Sequence, residues 1–132
     1  MMIRIGVDSV AISRFDRVIL SDSAFLRRCF TSKEQDYCLS KIDPSPHFAV
    51  RFAAKEAVIK ALSGFNLILE HNKIEVAMDA KGRPFIRYLS NDSSYSNLNT
   101  DVSLSHSQTS AIAFVIIYPT SRINTIWSPL FF

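Results

Sequence analysis

Between Arg51 and Lys60 the chain reads Arg-Phe-Ala-Ala-Lys-Glu-Ala-Val-Ile-Lys. On a helix, at about 100° per residue, Arg51 and Lys55 share one side while Glu56 and Lys60 share another. Phe52 and Ile59 point between the two pairs, and Val50, Ala53, Ala54, Ala57, Val58 and Ala61 cover the remaining side. A helix lying on a protein surface shows one polar stripe. Two charge groups separated in angle suit a helix covered on most sides, with its charges projecting into a cleft or an interface. Charges beside a core need partners, because burying them unpaired is expensive. A phosphate-rich ligand and a divalent cation would supply such partners. A plainer reading stays open, in which Glu56 and Lys60 form a solvent-facing pair worth only about 0.2–0.5 kcal/mol.

Two further groups can do chemistry. Ser103-Leu104-Ser105-His106-Ser107 follows a strand, and hydroxyls, backbone amides and an imidazole at a strand end suit phosphate binding. An isolated histidine in a turn is equally a satisfied surface residue. Asp8, at the end of the first apolar run, is either a ligand or the cap of a helix starting near Ser9 or Val10.

The elements that must position these residues are legible from periodicity. Ile3 to Val7 reads as a first strand. From Val10 to about Cys29 the apolar residues Val10, Ile12, Phe15, Val18, Ile19, Phe25 and Leu26 have helical spacing. Thr31 with Glu34 three positions on is a capping-box signature, so a helix begins at Ser32 and ends before Pro44 and Pro46. His47 to Ser63 is a long helix with Gly64 as its stop. Ile74–Met78 and Phe85–Tyr88 read as a hairpin joined by Asp79–Gly82. Ser90 to Thr100 reads as a polar loop, and Val102–Ser105 and Ala111–Tyr118 as two more strands. The fold class is α+β, helices packed on a mostly antiparallel sheet.

The 132 residues fit one domain, here taken as 1–118, with 119–132 as a C-terminal extension packing on the domain or on a neighbouring subunit. A net charge of +3 is too small for a nucleic-acid clamp, although it favours an anionic partner. Cys29 and Cys38 offer neither a disulfide framework nor a metal site, so a reducing, cytoplasmic setting is expected. The longest apolar stretch, Ala111 to Tyr118, is far shorter than the roughly 20 residues of a membrane span. Neither nucleic acid nor membrane is expected as a partner.

In order and spacing, these segments resemble the holo-acyl-carrier-protein synthase family, the small trimeric type of 4′-phosphopantetheinyl transferase. The matching stretches are Ile5-Gly6-Val7-Asp8 continuing to Arg14-Phe15, then Phe30-Thr31-Ser32-Lys33-Glu34 with Tyr37. Next come Arg51-Phe52-Ala53-Ala54-Lys55-Glu56-Ala57 with Lys60-Ala61-Leu62, and Ile74-Glu75-Val76. Gly82-Arg83-Pro84 and Val102-Ser103-Leu104-Ser105-His106 complete the set. The likeness runs from about Ile3 to Val115. One departure follows the lysine, where the family's Gly-x-Gly is replaced by Ser63-Gly64-Phe65-Asn66. Another is Ser9, in place of an aliphatic residue.

The resemblance implies an enzyme that moves the 4′-phosphopantetheine arm of coenzyme A onto a serine of apo acyl carrier protein, releasing adenosine 3′,5′-bisphosphate, in support of fatty acid synthesis. By the same likeness Asp8 and Glu56 hold Mg²⁺, which is commonly bound by one or two carboxylates plus substrate phosphate and water. Asp8, Glu56 and Lys60 would be catalytic, Glu56 helping to deprotonate the serine directly or through a water, and Lys60 contacting the phosphates. Arg51, Lys60, Pro84, Ser105 and His106 would hold coenzyme A, with Lys55 a lesser candidate. Arg14, Arg17, Arg27 and Arg28 would face the acidic carrier; each taken singly also fits a solvated helix face. The likeness further implies a homotrimer with active sites between subunits, Asp8 and Glu56 coming from one and some other site residues from its neighbour. A module that binds coenzyme A or carrier without transfer is the competing reading, and a binder has no need of Asp8, Glu56 and Lys60 together.

Overall fold

The structure, a computed structural model, describes residues 2–120. A long helix organises it. Helix α4 (Pro44–Ser63) opens with proline at its first position, where the missing N–H costs nothing, and so begins three residues before the expected start at His47. Strands β1 (Arg4–Ala11), β4 (Leu98–His106) and β5 (Ser110–Pro119) form an antiparallel sheet in the order β1-β5-β4. Val10, Ala111, Ala113, Val115 and Ile117 line the buried side of this sheet, against Ala53, Ala57, Val58 and Ala61 of the helix. The small residues let helix and sheet approach closely. A Cβ on Gly6 would sit 1.9 Å from the backbone oxygen of Ala57, so only glycine fits there.

The expected helical segment from Val10 to Cys29 is instead three pieces. Val10 and Ala11 belong to β1, and the rest divides into α1 (Arg14–Ser21) and α2 (Ser23–Cys29). The break falls at Asp22, whose carboxylate accepts the N–H of Phe25 and caps α2. The capping box at Thr31 and Glu34 is present in both directions, opening α3 (Ser32–Leu39) as expected. Phe15, Phe25, Phe30, Phe48 and Phe52 form one aromatic cluster where α1, α2 and α4 meet.

Strands β2 (Ile74–Met78) and β3 (Pro84–Tyr88) form the expected hairpin. Gly82 takes the left-handed conformation (φ 78°) and Asp79 accepts the N–H groups of Lys81 and Arg83. The segment read as a polar loop carries one helical turn, α5 (Ser93–Ser96), and β4 begins within it at Leu98. Tyr95 drives this local order by burying its ring and donating to the Ile68 carbonyl. After α4, Gly64 is right-handed (φ −69°) and Asn66 (φ 58°) makes the left-handed turn instead. Asparagine tolerates that conformation better than other residues with a side chain. The extension 119–132 lies outside the described residues beyond Thr120. No helix of the described residues is long and apolar enough to cross a membrane.

Candidate functional site

Helix α4 is buried on all sides but one. Glu56, Ile59, Lys60 and Ser63, spaced along a single face, are its open stripe. The other two charges of the segment turn inward. Lys55 is fully buried and Arg51 almost so, at 2% exposure. The Lys55 ammonium donates to Glu34 Oε1 at 2.6 Å and to the carbonyls of Ile74 (2.6 Å) and His71 (2.9 Å). Burial lowers its pKa from the ordinary lysine value, opposed by the Glu34 carboxylate. Lys55 therefore ties α3, α4 and β2 together and is not available to a ligand.

The open stripe meets β1. Asp8 sits in the middle of this strand, opposite Ala113, and not at its end. The helix cap read as an alternative role does not exist, since Ser13 precedes α1. Gly6, Asp8 and Val10 share the strand face turned to α4. There the Lys60 ammonium donates to Asp8 Oδ1 at 3.0 Å and to the Val7 carbonyl at 3.0 Å. The solvent-facing Glu56–Lys60 pair is thus replaced by two separate contacts. Lys60 takes Asp8, and Glu56 Oε1 lies 3.4 Å from His71 Nε2. Lys60 thus ties Asp8 of β1 to the open stripe of α4 that also carries Glu56.

The other expected ligand residues lie elsewhere on the chain. Arg51 is about 140° around the helix from Glu56. Its guanidinium packs 4.4 Å from the Tyr37 ring centroid, Nη1 donates to the His47 carbonyl, and Nε is buried without a partner among the described residues. It lines a cleft of about 400 Å³ with Lys33, Tyr37, Glu75 and Arg87. His106 ends β4 and borders a second cleft with Asp43, Pro46 and Ser107. Ser105 is exposed within β4, opposite Ile112, and so precedes the strand end; Pro84 opens β3 opposite Met78. Arg14, Arg17, Arg27 and Arg28 are all exposed on α1 and α2. Arg14 stacks over the rings of Phe52 (5.0 Å) and Phe25 (5.6 Å).

The donor set suits a hard cation. Asp8 and Glu56 both keep partly exposed carboxylate oxygens, and hard oxygen donors are what Mg²⁺ prefers. Cys38, by contrast, is no ligand: burial pushes its thiol up to about 12.

The sequence profile of the 4′-phosphopantetheinyl transferase superfamily matches residues 4–115. The chain belongs to that superfamily. A holo-acyl-carrier-protein synthase of Chlorobium limicola is 42% identical over 118 residues, covering 86% of this chain and 91% of that protein. One from Geobacter metallireducens is 38% identical, covering 85% and 94%. Among solved structures, the Helicobacter pylori synthase in complex with coenzyme A is 32% identical with a TM-score of 0.73, covering 86% of this chain and all but 1% of its own. The α+β fold is that of these synthases.

Two features of this transferase were not visible in its sequence. His47 packs edge-on to Tyr37, and its pKa is lowered by burial first, then by Arg51, Lys41 and His106. It marks a basic cluster that only the fold assembles. His71, far from Glu56 in sequence, is the second. No spacing rule could have singled out either.

The close approach at Gly6 yields a prediction. Gly6→Ala puts a methyl against helix backbone, which cannot rotate away. Such overpacking costs about 1–3 kcal/mol, and β1 must move off α4, taking Asp8 from Lys60. Urea unfolding should show the loss; a variant as stable as the parent would mean that β1 and α4 slide freely.

Proposed function

We propose that the chain is a holo-acyl-carrier-protein synthase, transferring the 4′-phosphopantetheine group of coenzyme A to a serine of apo acyl carrier protein. The observation that supports this is Lys60 holding Asp8 beside the open stripe of α4 that also carries Glu56, in a chain similar over 85–86% of its length to synthases of that name. Asp8 and Glu56 would hold Mg²⁺, which when bound neutralises charge on the coenzyme A pyrophosphate. Glu56 accepts the serine proton as the serine oxygen attacks the pantetheine-side phosphorus. The bond from that phosphorus to the bridging oxygen breaks, and adenosine 3′,5′-bisphosphate leaves. Lys60, held against Asp8, faces the charge that develops on the leaving phosphate and donates to it. Pairing Lys60 with Asp8 orients the ammonium without substrate.

The reading includes a homotrimer with active sites between subunits. Arg51 lines one cleft and His106 another, and in a trimer a neighbouring copy would bring such residues to Asp8 and Glu56. The outer face of the large sheet supports this, since Ile5, Val7, Ile112 and Phe114 are exposed there as an apolar patch. The exposed arginines of α1 and α2 would steer an acidic carrier. Free, buried Cys29 and Cys38 suit a reducing cytoplasm.

The test is intact mass spectrometry of apo acyl carrier protein incubated with the chain and coenzyme A. The carrier should gain one phosphopantetheine with Mg²⁺ and none with chelator. No gain with several apo carriers, despite measurable coenzyme A binding, would make the chain a binder and not a transferase.

The basic cluster gives a pH dependence. The folded pKa of His47 lies below its unfolded value of about 6.5, so the native state binds fewer protons. Its contribution to stability is fully present above that value and is lost as pH falls from there through the lower folded pKa. A phosphate beside His47 favours the proton, so affinity for adenosine 3′,5′-bisphosphate should rise several-fold from about pH 7.5 to about pH 6. Calorimetry on the His47→Asn variant should give a flatter profile; equal profiles would place the phosphates away from this cluster.

A further inference from the structure

We propose that His71 is a positioning residue for Glu56, an inference that rests on Glu56 being the metal-binding carboxylate proposed above. Two contacts hold His71, and a third is not yet closed. Its backbone carbonyl accepts the buried Lys55 ammonium at 2.9 Å. Its ring stacks on Phe52 at 5.5 Å between centroids and 2° between planes. Its Nε2 lies 3.4 Å from Glu56 Oε1.

That nitrogen is buried and has no hydrogen-bond partner among the described residues. A buried polar atom without a partner is costly, and Glu56 Oε1 is the acceptor at hand. Glu56 is a third exposed and free to turn, whereas His71 is held by its backbone and by its ring. A small rotation of Glu56 therefore completes the bond. Nε2–H then holds Oε1, and Oε2 is the oxygen left free. The neutral imidazole with its proton on Nε2 suffices, so no change of charge is required.

Carboxylates that ligate metals are commonly oriented by such outer hydrogen bonds, and losing one weakens metal binding about 10–100-fold. The Phe52 ring that carries His71 also lies under the Arg14 guanidinium. One rigid stack thus joins the exposed face of α1 to the carboxylate.

The test compares His71→Phe, which keeps a stacking ring without the N–H, with His71→Gln, whose amide nitrogen can replace Nε2. Mn²⁺ binding to the full-length protein loaded with coenzyme A is read by electron paramagnetic resonance, with Glu56→Gln alongside. His71→Phe should weaken Mn²⁺ about tenfold, leave metal-free coenzyme A affinity unchanged, and be rescued by His71→Gln to within about threefold of the parent. Parental Mn²⁺ affinity in His71→Phe overturns the inference, as does equal loss in both His71 variants. If Glu56→Gln also binds Mn²⁺ like the parent, the metal role of Glu56 itself falls. In the unmodified protein, ¹⁵N spectra should show a slowly exchanging proton on His71 Nε2 that shifts in Glu56→Gln; an unprotonated Nε2 overturns the inference without any His71 variant.

Discussion

Glu56→Gln is expected to slow phosphopantetheine transfer by about 10²–10⁴-fold, the range lost when a positioned acid or base is removed. The substitution is isosteric, and the side chain is a third exposed on the open stripe of α4. Folding should therefore be unaffected. With Glu56 in the roles proposed above, the loss has two sources, since an amide would neither take the serine proton nor offer an anionic oxygen to a metal. Asp8→Asn should cost a similar factor for the second reason, and it also weakens the ion pair holding Lys60. The double variant should be little worse than the worse single one, because groups that act as a unit are not additive. Single-turnover rates at saturating Mg²⁺ are the measurement. Glu56→Gln retaining a tenth or more of the parental rate would remove Glu56 from the chemistry.

Lys55→Met should destabilise the fold by about 3–5 kcal/mol, the cost of leaving one member of a buried ion pair alone. The pair is fully enclosed, with side-chain exposures of 0% and 1% for Lys55 and Glu34. Glu34 keeps the backbone donors of Thr31 and Val76, which cannot offset a desolvated charge alone. Adding Glu34→Gln should recover part of the loss, because the amide oxygen can still accept while carrying no charge. Denaturant unfolding decides this. A Lys55→Met protein within about 1 kcal/mol of the parent at neutral pH would mean that water reaches the pair.

Both predictions turn on adjacent residues with opposite fates. Lys55 and Glu56 are neighbours in sequence and both charged, yet one is in the core and the other on the open stripe. At 100° per residue a helix separates neighbours in angle, so the two charge groups are readable from the sequence alone. Which of them faces solvent is not, because that depends on what packs against each side. Here Glu34 of α3 and the Ile74 carbonyl of β2 close over the Lys55 side, while Glu56 keeps about a third of its side chain exposed.

The same division runs through the rest of the chain. Local rules determined the capping box at Thr31, the hairpin around Gly82 and the long α4, since each follows from contacts within a few residues. Resemblance of ordered motifs pointed to the family and to Asp8, Glu56 and Lys60. The bend at Asp22, the strand extending through Asp8 to Ala11, and the start of β4 at Leu98 were decided by pairing and burial across long sequence separations. Lys60 contacts Asp8 across 52 residues, and His71 approaches Glu56 from a separate turn. Periodicity records which side chains share a face of one element; it holds no record of which elements meet. That meeting is set by packing, where a single glycine at position 6 lets β1 close on α4 and bring Asp8 to the lysine.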